Sequence, residues 1–105
     1  MSFISLFFVL IAPLSNACLV FSGRYYPLYQ RLDASLVDNG IEVCTWHSRV
    51  NQDHYFADCI PGFASYITRD MNEVAYSNHG YEHLFNPGQY PDVNGVRLLA
   101  REYGC

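Results

Sequence analysis

The sequence predicts an α+β domain: one N-terminal helix packed on an antiparallel sheet of four to five strands, held by two disulfides. Three observations predict it. Leucines recur at four-residue spacing between Tyr26 and Asp38, alternating segments rich in β-formers follow Asn39-Gly40, and four cysteines sit in a short chain with an export leader.

The leader comes first. Residues 1–17, "MSFISLFFVLIAPLSNA", are apolar from Phe3 to Leu14 and contain no Asp, Glu, Lys or Arg. Such a stretch reads as a secretory signal peptide, with small Ser15 and Ala17 before the cut. The mature chain then runs from Cys18 to Cys105 as a single domain, and nothing after the leader is apolar for the roughly 20 residues that span a bilayer. Secretion to an extracellular location without membrane insertion is the expectation.

Over 26–38, "YPLYQRLDASLVD" puts Leu28, Leu32 and Leu36 on one stripe, with Tyr25 and Tyr29 beside it. This spacing predicts the helix. Pro27 suits its first turn, and Asn39-Gly40 supplies a left-handed stop. Then "IEVCTWHS" and "HYFADCI" read as the two arms of a hairpin. A hairpin turning symmetrically about Asn51 and Gln52 faces Cys44 with Cys59, within reach of a disulfide. Four cysteines permit three pairings. Choosing Cys44–Cys59 leaves Cys18 with Cys105, the two ends of the mature chain.

Pro61-Gly62 leads into "FASYITR", and "DMNE" turns the chain back into "VAYSN". A hairpin centred on Met71-Asn72 pairs Ile67 with Tyr76, and puts Phe63, Ile67, Val74 and Tyr76 on one core face. Residues 79–95, "HGYEHLFNPGQYPDVNG", are rich in Gly and Pro and read as a long loop. For "VRLLAREY" a closing edge strand is preferred to a short helix, because it returns Cys105 to the N-terminus.

Three constellations bear on chemistry. His79-x-x-Glu82-His83 matches a zinc-protease pattern, but that chemistry needs a helix, and Gly80 with Pro87-Gly88 leaves room for about two turns. No metal site and no cofactor are expected. A ribonuclease would draw its base, acid and phosphate clamp from Glu42, His47, Asp58, Arg69 and His79. Strand alternation puts Glu42 on the face of Cys44 and Trp46 and His47 on the other, so no catalytic set is expected and the protein is read as a non-enzyme. The third is aromatic: with nine tyrosines in the chain, Tyr81, Phe85 and Tyr90 fall in the long loop as candidate binding residues. All six basic residues are arginines placed singly along the sequence against ten acids, for a charge of −4. That pattern speaks against nucleic-acid binding.

A leader ending in "SNA", a mature chain opening "CLVFSG" and closing "EYGC", four cysteines and short aromatic-rich strands resemble the small cysteine-rich secreted proteins of plant-associated fungi. That resemblance implies a candidate effector, or virulence-type protein, directed at a host protein or another extracellular component. Two groups are similar in build. The ribonuclease-like effectors of mildew fungi share a helix, an antiparallel sheet and a disulfide joining the ends. Fungal killer toxins are similar in segments such as "FASYIT" and in a terminal cysteine, and imply the alternative of an antimicrobial toxin or a ribonuclease-like enzyme.

Overall fold

The computed structural model describes residues 18–104, and these form nine strands and no helix. The leader at 1–17 and Cys105 lie outside the described residues, and with them the expected cleavage and the Cys18–Cys105 pairing. Strands β1 (Leu19–Tyr26), β2 (Arg31–Asp38), β3 (Ile41–Arg49), β5 (Asp58–Cys59) and β9 (Arg97–Tyr103) make one antiparallel sheet in the order β5-β3-β2-β1-β9. Strands β4 (His54–Phe56), β6 (Phe63–Thr68), β7 (Val74–Asn78) and β8 (Tyr81–Phe85) make a second in the order β4-β6-β7-β8. The fold is therefore all-β, and the α+β expectation is corrected.

The predicted helix over 26–38 is a turn followed by β2. A four-residue spacing is also a multiple of two, so Leu32 and Leu36 share one face of a strand as readily as one stripe of a helix. Ala34 lies between them and is buried with them, while Leu28 is 81% exposed in the turn at 27–30. Across the turn, Tyr29 N donates to Tyr26 O at 3.1 Å, with Pro27 pre-set for the second position. What reads as a helix stop at Asn39-Gly40 is a two-residue hairpin turn, with φ of 55° and 86° and Asp38 facing Ile41. Left-handed φ at both positions matches the twist of the flanking strands and favours Asn-Gly.

The same turn recurs at His79-Gly80, with φ of 49° and 94° and Asn78 facing Tyr81. It launches β8, so the first part of the expected 79–95 loop is a strand. The β6–β7 hairpin is shifted by two residues from the expected register, with Ile67 facing Val74 and Ser65 facing Tyr76. An even shift keeps the face, and Ile67, Val74 and Tyr76 are all buried. The turn is tightened by Asp70, whose carboxylate accepts from Thr68 Oγ1 at 2.7 Å and Asn72 N at 3.0 Å, and buried Met71 caps the core beneath it. The C-terminal segment is a strand as expected, pairing Tyr103 with Leu19.

Cys44 faces Cys59 and Thr45 faces Asp58, the register of a hairpin symmetric about Asn51 and Gln52, and the Cys44–Cys59 disulfide is formed. The chain between them does not stay in that hairpin. Tyr55 pairs with Ile67 in the other sheet, so the segment changes sheets between Phe56 and Asp58. Trp46 Nε1 marks the crossing by donating to Tyr55 O at 2.9 Å. The disulfide thus ties β5, the edge strand that links β4 and β6 of the second sheet, to β3 of the first.

The core lies between the two sheets. Phe21 makes edge contacts with Trp46 at 5.5 Å on its own sheet and with Phe85 at 6.2 Å on the other. Leu32, Leu36, Leu99, Ile67 and Val74 fill the space around them and are all essentially inaccessible. A bulge in β3 leaves Val43 without a partner, because Leu36 faces Cys44 while Val37 faces Glu42. Both Val43 and Cys44 are buried in consequence, and the alternation before the bulge is inverted.

Candidate functional site

The three aromatic residues singled out for binding do not come together. Tyr81 is 78% exposed at the start of β8, Phe85 is buried in the core against Phe21 and Tyr103, and Tyr90 is exposed beside Val93 and Leu98 on another side of the molecule. Phe85 ends an edge strand and points inward, so it is a packing residue.

The inverted alternation in β3 also corrects the placing of Glu42. It lies on the outer face of its sheet with His47, since Val37 and Asp33, their β2 partners, are an even number of residues apart. Four rungs at 3.3 Å each still separate the two by about 13 Å. Asp58 shares that face on β5, whereas Arg69 follows β6 and His79 sits in the β7–β8 turn. The ribonuclease set is dispersed. The zinc-protease pattern fares likewise: His79 packs edge-on against Phe63 at 5.2 Å, His83 stacks on Tyr76, and Glu82 leaves β8 on the face opposite His83. Among the described residues no group of three or more His, Cys, Asp or Glu is arranged to hold a metal.

Two surfaces are instead assembled by the fold. On the outer face of the second sheet, register aligns Phe56, Tyr66, Ala75 and Leu84 in one row that crosses all four strands. Phe56 and Leu84 are 63% and 62% exposed and stand at the two edges. Between them Ala64, Ala75 and Ser77 form a low floor, giving a shallow trough of about 450 Å³. Tyr66 is braced by edge contacts from Phe56 at 5.3 Å and His54 at 4.6 Å. Sequence reasoning missed the trough: Tyr55 packs against the core and alternation then turns Phe56 outward, but its pairing with Tyr66 requires the change of sheet.

The second surface is a cleft of about 550 Å³ at one end of the sandwich, between the two sheets. Asp38 at the end of β2 faces Tyr76 and Asn78 of β7, and accepts from the Tyr76 hydroxyl and from Asn78 Nδ2. Both bonds arrive at Oδ2. Burial first, and then the Asp38 bond and charge, push the Tyr76 hydroxyl well above the usual tyrosine range. Tyr81, His83 and Tyr103 bring aromatic rings to the cleft, and Ile41, Ile60 and Phe63 an apolar wall.

A scan against protein-family models and searches of curated proteins and of solved structures found no match to this chain. Among the described residues no helix is long and apolar enough to cross a membrane. The Cys44–Cys59 bond is of the kind that forms and persists in oxidising compartments.

Proposed function

We propose that the protein is a secreted, disulfide-stapled binding protein that recognises a host or other extracellular protein through the outer face of its second sheet. The observation that carries this reading is the Phe56–Tyr66–Ala75–Leu84 row, which exposes large apolar side chains at both edges of a low floor. A β-sandwich core needs only the inward residues of each strand. Outward aromatic and aliphatic side chains grouped round a depression are the usual composition of a contact surface. The likeness in layout to small secreted fungal proteins adds an effector role acting on a host to this reading. The alternative of a ribonuclease-like toxin has less support, since Glu42, His47, Asp58 and Arg69 do not converge.

The experiment is capture of extracellular proteins on immobilised oxidised protein, comparing wild type with Phe56→Ser and Leu84→Ser. Val37→Ser, on the outer face of the other sheet, is the control. A partner retained by wild type and the control but lost from both trough variants supports the reading. Equal retention by all four, or RNA cleavage by the purified protein that Glu42→Gln abolishes, contradicts it.

A further inference from the structure

Arginines that are scattered along the sequence are gathered by the fold towards one end of the molecule. Counting rungs from the cleft, the first two in each sheet hold Asp38 facing Leu19, Glu42 facing Val37, Glu102 facing Val20 and Glu82 facing Ser77. These rungs contain no arginine. Arg101 enters at the third, facing Phe21. Arg24, Arg31, Arg49 and Arg97 lie at the far end of the first sheet, and Arg69 beyond the far end of β6. Three of these arginines are neutralised locally: Arg31 by Asp33, Arg69 by Asp53 and Arg97 by Asp92. The four carboxylates at the cleft end carry no such partner among the described residues.

We infer that the end cleft is a binding site for a lysine or arginine side chain carried by a peptide segment. Asp38 supplies the charge-assisted acceptor. Tyr76 and Asn78 fix its carboxylate through Oδ2, and among the described residues no donor occupies Oδ1. Glu42 and Glu102 on the outer face of the first sheet, and Glu82 on that of the second, lie outside the cleft lining but within two rungs of its end, and add a negative field of one sign that concentrates cations and repels anions. Tyr81 and Tyr103, 78% and 42% exposed, bring aromatic rings to the cleft within reach of a cationic head. Ile41 and Ile60, 60% and 43% exposed, line the wall that a methylene stem would cover. The Asp38–Tyr76 bond also joins the two sheets, but that role uses only one carboxylate oxygen and calls for none of the surrounding acids. The site and the trough share Tyr76 and His83 where β7 and β8 run between them, but Tyr81 and Tyr103 line only the cleft, and Glu82 and Leu84 only the trough.

The test is titration of the oxidised protein with the peptides acetyl-Gly-Arg-Gly-amide and acetyl-Gly-Lys-Gly-amide, followed by NMR of the Tyr81 and Tyr103 side chains, which line the cleft and not the trough. Acetyl-Gly-citrulline-Gly-amide serves as the uncharged isostere. The basic peptides should shift these signals saturably, with citrulline about tenfold weaker and binding that weakens as salt is raised. Asp38→Asn should abolish the response. Since that change also touches the inter-sheet bond, the Glu42→Gln, Glu102→Gln double variant, away from the trough, is the second arm, expected to weaken binding several-fold with an unchanged unfolding midpoint. Equal binding of the citrulline peptide, an unaltered affinity in the double variant, or shifts confined to residues outside the cleft would each overturn the assignment. None of these outcomes depends on the trough or on the partner it contacts.

Discussion

Tyr76 carries two loads, since its ring packs in the core and its hydroxyl reaches across to Asp38 on the other sheet. Tyr76→Phe keeps the ring and leaves Asp38 with Asn78 alone, so the loss should be about 1–2 kcal/mol in denaturant unfolding. The pH dependence follows from the raised folded pKa. The contribution is fully present below the ordinary tyrosine value of about 10, and is lost as pH rises towards the higher folded value. Tyrosinate absorbance of wild type and Tyr76→Phe should therefore coincide through about pH 10 and separate only above it, the variant lacking the last component. Separation at lower pH would mean that the hydroxyl is wet. Nothing in the sequence around Tyr76 announces this bond, because its partner lies thirty-eight residues away on another sheet.

At the scale of the element, alternation and turn chemistry were legible where they were unambiguous. The strands around Trp46, Ile67 and Val74 could be read from their pattern, as could the face that Ile67 and Val74 bury, but not the bulge that turns Glu42 away from the face of Trp46. Strand β2 could not, since Leu28, Leu32 and Leu36 fit a period of two as well as 3.6, and Asn39-Gly40 ends a helix as readily as it closes the β2–β3 hairpin. The His79-Gly80 turn hid β8 in the same way: Gly and Pro through 79–95 look like loop, although the first two residues are hairpin chemistry. The cysteine register was legible because symmetry about Asn51 and Gln52 survives the excursion of β4 into the second sheet. That excursion gives the disulfide its task. Cys44→Ala with Cys59→Ala opens a loop with a sequence separation of 15, for which about 3 kcal/mol of stabilisation is expected. Amide exchange in the double variant should rise first over residues 54–59, where the chain leaves one sheet for the other. Uniform acceleration with no change there would mean that the bond stabilises without anchoring the crossing.

Across the whole molecule, the sandwich sorts features that the linear sequence mixes: apolar side chains on the outer face of one sheet, four carboxylates at the cleft end with no arginine partner among the described residues, and five of the six arginines towards the other. Composition revealed the net charge of −4 and the excess of aromatics, but not their distribution, because which residues share a face or a rung depends on register and on the bulge at Val43. The same limit dispersed Tyr81, Phe85 and Tyr90, which share a segment of sequence and no surface. The central claim is that Phe56 and Leu84 serve contact rather than folding, and the stability of Phe56→Ser and Leu84→Ser tests it without knowledge of any partner. Denaturant unfolding should show each variant within about 1 kcal/mol of wild type, as expected for exposed strand positions. A loss of about 2–4 kcal/mol, the range for truncating a core side chain, would contradict it by placing these residues in the interior.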